Sequence, residues 1–157
     1  MISGMVIRDL DQNEISYENF IKKIVELNKE GYSFHIGSDS QEFYKKISFV
    51  TTVCFHHSKK GAGAFYIKER VSRVSMPTLK SRIMSEAYRS LEAAFEVEKY
   101  IDSKISVHLD IGADPKKNKT HTFKKELVNL VTSQGYDALI KPNSWASSSV
   151  ADWFTKT

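Results

Sequence analysis

Four acidic residues, Asp39, Glu86, Asp110 and Asp152, stand where a lone carboxylate would be costly. Asp39 lies in Ile36-Gly-Ser-Asp-Ser-Gln41, which closes an apolar run begun at Tyr32 and follows a glycine that lets another chain or a ligand come close. A charge placed where a buried strand runs out needs a partner. Glu86 sits on the margin of a helical apolar stripe, between Ile83 and the small Ser90. Asp110 lies in Val107-His-Leu-Asp-Ile-Gly112, and Asp152 comes five residues before the final Thr157. Carboxylate oxygens are hard ligands, so the chemistry open to the four together is the capture of a hard divalent cation.

Each acid also has an ordinary reading. Asp39 in Ser-Asp-Ser and Asp110 before Ile-Gly could each close a strand as an Asx turn. Glu86 could be a flank residue of an amphipathic helix, and Ser149 to Asp152 spells a capping box, a role compatible with holding Asp152 steady for a metal. One shared site gives all four a single cause. Asp114, before Pro115, reads as a loop residue.

The elements that must position these acids follow from periodicity. Residues 1 to 14 show no clear period and read as a lead-in or a short extended piece. Ser16 can cap a helix with apolar positions Tyr17, Phe20, Ile21, Ile24 and Leu27, ending at Gly31. From Tyr32 the period becomes two, giving a first strand that ends near Asp39. Residues 41 to 45 read as a turn, Ile47 to Phe55 as a second strand, Lys59 to Gly63 as a turn and Ala64 to Val74 as a third strand. Strands joined this tightly form an antiparallel meander. Pro77 opens a long helix with buried stripe Leu79, Ile83, Ala87, Leu91 and Ala94, from which Glu92 and Glu96 point away. Ile105 to Ile111 gives a fourth strand with Asp110 on its opposite face. A helix over Phe123 to Val131 ends at Gly135, Tyr136 to Lys141 is a fifth strand stopped by Pro142, and Ser147-Ser-Ser149 introduces a brief closing helix. The expected fold class is therefore α/β: a mixed five-stranded sheet, three strands as a meander and two reached by crossovers, flanked by helices.

A chain of 157 residues with 41% hydrophobic content fits a single domain over 1–157, in which 1–31 forms an N-terminal extension carrying one helix. A net charge of +4 is compatible with a polyanionic partner without requiring one. Cys54 is the only cysteine, which excludes an internal disulfide and a cysteine-based zinc cage; a reduced, cytoplasmic setting is expected. No apolar run has a membrane-spanning length, so no membrane partner is expected.

The element order, with acids on the first strand, first long helix, fourth strand and final helix, resembles the ribonuclease H-like fold. More narrowly, Ile36-Gly-Ser-Asp-Ser-Gln41, Val107-His-Leu-Asp-Ile-Gly112 and Lys141-Pro-Asn-Ser-Trp-Ala-Ser-Ser-Ser-Val-Ala-Asp152 look like the YkuK-type branch of that superfamily, over about residues 32 to 154. The resemblance implies a nuclease in which four carboxylates hold two Mg2+ or Mn2+ ions: Asp39 bridging both, Glu86 and Asp110 completing one site and Asp152 the other. Such a pair could activate water and stabilise the departing 3′ oxygen in phosphodiester cleavage of RNA, an RNA-DNA hybrid or structured nucleic acid. In that fold the fourth strand runs beside the first, so the loop after Asp110 borders the site. Lys116, Lys117, Lys119, Lys124 and Lys125 would there contact phosphates without reading sequence. Lys45, Lys46, Lys59 and Lys60 rank lower, since lysines at meander turns also deter edge pairing.

Trp145 and Trp153 could stack on bases but read better as core anchors. His35, His56 and His57 face strand surfaces, and His108 shares a side with Asp110. Many ribonucleases H carry a mobile histidine before the last helix; residues 141 to 149 contain none, so turnover is expected to be slow or the aid to come from Lys141. Alternative functions are a noncatalytic nucleic-acid-binding or adaptor module of the same fold, a junction resolvase acting as a dimer, and a proofreading-type exonuclease. The neutral Gln41 where Asp-x-Glu would be needed argues against the last.

Overall fold

The structure, a computed structural model, describes residues 2–112, 114, 116 and 119–156. Strands β1 (Ile7–Asp9), β2 (Glu14–Ile15), β3 (Ser33–Phe43), β4 (Lys46–His57), β5 (Gly61–Ser72), β6 (Ile105–His108) and β7 (Asp137–Leu139) form one mixed sheet in the order β2-β1-β5-β4-β3-β6-β7. The principal helices are α1 (Tyr17–Lys29), α2 (Leu79–Glu98) and α3 (Lys124–Ser133), and the chain closes with the short α4 (Asp152–Thr155). β3, β4 and β5 are the expected antiparallel meander, and β6 and β7 join it in parallel through the α2 and α3 crossovers.

The sheet has seven strands among the described residues rather than five. The additional pair, β1 and β2, lies in the segment without a period, because two or three residues are too few for alternation to show. A local turn makes them: Asp9 Oδ1 accepts from the backbone N–H groups of Asp11 and Asn13, folding β1 back on β2, while β1 adds to β5. Other boundaries move as well. β3 continues past Asp39 to Phe43, leaving only Tyr44 and Lys45 as the turn, with Tyr44 in the left-handed region at φ 52°. β6 is shorter than Ile105 to Ile111, although Leu109 N–H still donates to Leu139 O and Lys141 N–H to Ile111 O. α2 is capped by Thr78, whose side chain exchanges hydrogen bonds with Ser81 in a reciprocal box, so Pro77 stands outside the helix. Ser16 caps α1 by accepting from Asn19 N–H, as its position predicts.

Two layers cover the sheet. On one face Phe34, Ile36, Val53, Phe65, Ile67 and Val107 pack with Phe20 and Ile24 of α1, Ala87, Leu91 and Ala94 of α2, and Leu127 and Val131 of α3. On the other, Val50 and Tyr66 pack with Ala151 and Phe154, the Tyr66 and Phe154 rings stacking at 4.0 Å, while Cys54 and Ala64 meet Ala146. Four side chains depart from their expected places. Glu96 is buried and accepts from Tyr17 Oη at 2.9 Å, because the tyrosine at the start of α1 reaches a flank of α2 that the bare helix wheel leaves to solvent. Leu79, at the first turn of α2, is exposed, and so are Trp145 and Trp153, neither of which belongs to a core cluster. No described helix is long and apolar enough to cross a membrane.

Candidate metal centre

Strand alternation sorts β3 into two sets. Ser38 and Ser40 face α2, whereas His35, Gly37 and Asp39 face the closing segment. The β3–β6 ladder ends at Gly37 and His108, so beyond that point β3 is paired with β4 alone, and side chains from two other elements can reach Asp39. Glu86 arrives from α2 and Asp110 from the turn after β6. One carboxylate oxygen of each of Asp39, Glu86 and Asp110 lies within 4.8 Å of the others. Ser40 Oγ donates to Glu86 Oε2 at 2.6 Å, and Arg82 donates in turn to the carbonyl and hydroxyl oxygens of Ser40. The Ser38–Ser90 hydroxyl pair at 2.8 Å fastens α2 to the same strand.

Asp110 accepts from Ser148 Oγ at 2.9 Å and pairs with Lys141 Nζ at 3.3 Å. Asp152 begins α4, directly after a π-helical stretch over Ala146–Ala151. Its side chain meets Asp39 in a hydrogen bond and Lys156 Nζ at 3.0 Å. The Ser149–Asp152 capping box does not form. Ala151, already helical, stands before α4, so the backbone donors that such a box would satisfy are inside a continuous helix. Gly37 makes this docking possible: a Cβ there would stand 2.5 Å from Ser147 N and 2.7 Å from Ala146 C.

The cluster's electrostatics follow from burial. Asp39 is 7% exposed, and its carboxyl is pushed up to about 9, first by burial, then by the charge of Glu86, the hydrogen bond to Asp152 and the charge of Asp110. Protonated Asp39 is therefore the donor to Asp152. For Asp152 burial acts upward, but that bond together with Lys156 and Lys141 outweighs it and lowers the carboxyl. Glu86 is raised to about 8, chiefly by burial and then by Asp110, against the Ser40 hydroxyl, Arg82 and Lys141. A group whose folded value is raised binds more protons folded than unfolded across the interval between the two values. The metal-free protein is thus expected to lose stability as pH rises from about 4 to about 9. A divalent cation should flatten that slope; thermal melts across this range, in chelator and in Mn2+, check both.

An all-oxygen set of neighbouring carboxylates, two of them costly to ionise without a counter-charge, suits a hard divalent cation. Sequence reasoning did not single out Ser40, Arg82 or Ser148. Nothing in Ser147-Ser-Ser149 separates the middle serine from its neighbours until the π-helical turn aims it at Asp110.

The histidines are placed as expected, and more tightly. His108 Nδ1 accepts from Ala146 N–H at 3.0 Å, so its proton is on Nε2 and points at His35 Nδ1, 3.3 Å away; His35 Nε2 then donates to Ser33 Oγ. Trp145 packs on both rings, at 4.9 and 4.8 Å. Burial, as the largest cause, lowers His108 to about 4 and lowers His35 as well, which favours the neutral form of both rings under the closing segment. Lys116 and Lys119 are exposed on the segment that follows Asp110, and Lys124 and Lys125 are exposed where α3 starts. Lys117 lies outside the described residues.

The family model described as Ribonuclease H-like matches residues 16–156. The chain belongs to the ribonuclease H-like family. The match takes in α1, which the sequence motifs alone had left outside the shared core, and leaves out β1 and β2. The ribonuclease H-like chain is also similar to the uncharacterized protein YkuK of Bacillus subtilis (strain 168), 27% identical over 99% of this chain and 100% of that protein. No solved structure matches.

Proposed function

We propose that this protein is a divalent-metal-dependent nuclease that hydrolyses phosphodiester bonds in RNA, an RNA-DNA hybrid or structured nucleic acid. The observation that carries this reading is the convergence of Asp39, Glu86 and Asp110, from three separate elements, to within 4.8 Å in a ribonuclease H-like chain. Asp39, Glu86, Asp110 and Asp152 would hold two Mg2+ or Mn2+ ions. Bound there, the ions would supply an activated water and charge stabilisation of the leaving oxygen. Ser40, Ser148 and Arg82 orient the carboxylates, and Lys141 sets a positive charge beside Asp110. Lys116, Lys117, Lys119, Lys124 and Lys125 would neutralise the phosphates of the bound strand.

Labelled RNA, hybrid and DNA, each incubated with Mg2+, Mn2+ or chelator, test the reading. At least one substrate should be cut with metal and none in chelator, and Asp110→Asn should be inactive. Combining Lys119→Ala with Lys124→Ala should weaken substrate binding and lower its salt dependence by about 0.7–0.9 per lysine on a log–log plot. No cleavage by the wild type, or equal cleavage by Asp110→Asn, overturns the proposal. A noncatalytic module is the second reading, favoured by the Lys141–Asp110 and Lys156–Asp152 ion pairs, which neutralise two of the acids without a cation. Calorimetry separates the two, since such a module should bind no Mn2+ at this site.

A further inference from the structure

β3 does not end at the acidic cluster. It runs on for four residues, and Asp39, Gln41 and Phe43 share one face, so Phe43 lies about 14 Å along the strand from Asp39 at roughly 3.4 Å per residue. Across the meander the same face carries Lys68 opposite the Asp39–Val50 pair, Ser48 and Arg70 opposite Gln41, and Lys46 opposite Phe43. With Tyr44 and Lys45 of the turn, these side chains line a groove of about 480 Å³. It is continuous with the closing helix, because Lys68 Nζ donates to Phe154 O at 3.2 Å.

Three features of the groove point to an occupant. Four of its lining side chains are cationic and none is acidic; the nearby Glu42 and Glu69 face the other way, held by Arg82 and Arg89. Two aromatic rings stand open to solvent, Phe43 at 53% and Tyr44 at 93% exposure. Ser48 Oγ is buried, lines the groove and has no hydrogen-bond partner among the described residues, leaving a hydroxyl donor unanswered. Protection of a sheet edge does not explain Lys46, since β4 lies between β3 and β5.

We infer that this groove binds a single-stranded stretch of nucleic acid running away from the acidic cluster, its bases on Phe43 and Tyr44 and its phosphates on Lys45, Lys46, Lys68, Arg70 and the Ser48 hydroxyl. Free aromatic faces accept unstacked bases, which a duplex does not offer, and cations beside them track the backbone. This deepens the nuclease reading and rests on it for the strand's direction, while binding can be measured without cleavage.

The test is fluorescence anisotropy of a labelled oligouridylate, about twelve nucleotides long, in chelator at low salt. Combining Phe43→Ala with Tyr44→Ala should weaken binding about tenfold or more, as should Lys46→Glu with Arg70→Glu. The latter should also flatten the salt dependence. Lys22→Glu with Lys29→Glu makes the same charge change on α1, over the opposite sheet face, and should alter binding by no more than about twofold. A duplex of equal length should bind more weakly than the single strand. Equal binding by groove variants and wild type, loss matched by the α1 control, or preference for the duplex overturns the inference, even if Asp39-dependent cleavage is intact. Groove-dependent binding by a wild type that cuts nothing would instead retain the groove and remove the nuclease.

Discussion

Asp39→Asn should abolish phosphodiester cleavage, a loss on the order of a thousandfold or more, while leaving the metal-free protein at least as stable as wild type. The two effects have opposite signs for one reason. Asp39 is the most buried acid of the cluster, and Glu86 and Asp110 oppose its ionisation. An amide of the same shape removes that repulsion and can still donate to Asp152, so the fold without metal gains or stays level. The same change deletes the ligand proposed to lie between both ions. Thermal melts with and without Mn2+ read the first effect: wild type should be stabilised by the ion and the variant much less. Cleavage assays on the same preparations read the second. An Asp39→Asn protein that melts far lower in chelator would show that the carboxylate has a structural partner other than its fellow acids, and one that still cuts would remove Asp39 from the chemistry.

Gly37→Ala is expected to act on the site from behind. The added methyl would meet backbone atoms of Ala146 and Ser147, not a side chain that can swing aside, so the closing segment must lift from β3. Overpacking of this kind costs about 1–3 kcal/mol, measurable by urea denaturation. The functional consequence should be larger than the stability loss alone. Ser148 and Asp152 ride on that segment, and moving it separates them from Asp110 and Asp39. Mn2+ affinity and cleavage should fall together, and the fluorescence of Trp145, packed against His35 and His108, should change. Gly63→Ala is the matched control: the atoms nearest its methyl would be those of the Phe55 ring, remote from the acids, and the change should leave Mn2+ binding intact. A Gly37→Ala protein that binds Mn2+ like wild type would show that the segment's seat on β3 does not set the site.

Much of this was legible along the chain because it is local. The period-two run from Tyr32 and the helical stripe around Ile83, Ala87 and Leu91 each depend on residues a few positions apart, and so does the cap at Ser16. The order of these elements was enough to expect a meander followed by two crossovers. β1 and β2 escaped because strands of two and three residues have no period, and they exist only where β5 offers an edge. Glu96 was misplaced because a helix wheel holds nothing about Tyr17, 79 residues away in the chain, whose hydroxyl reaches it.

The sequence by itself determined which residue types could gather: acids on four separate elements, a glycine before the first, and no cysteine chemistry to compete. Tertiary structure alone decided that Asp39, Glu86 and Asp110 share one small volume, that Ser148 and not its neighbours answers Asp110, and that aromatic rings and cations continue the same sheet face. The physical reason is range. Periodicity and capping are set within a turn or two of chain, whereas the approach of Ala146 to Gly37 and the end of the β3–β6 ladder depend on contacts between segments roughly 70 to 110 residues apart, which exist only once the sheet has closed.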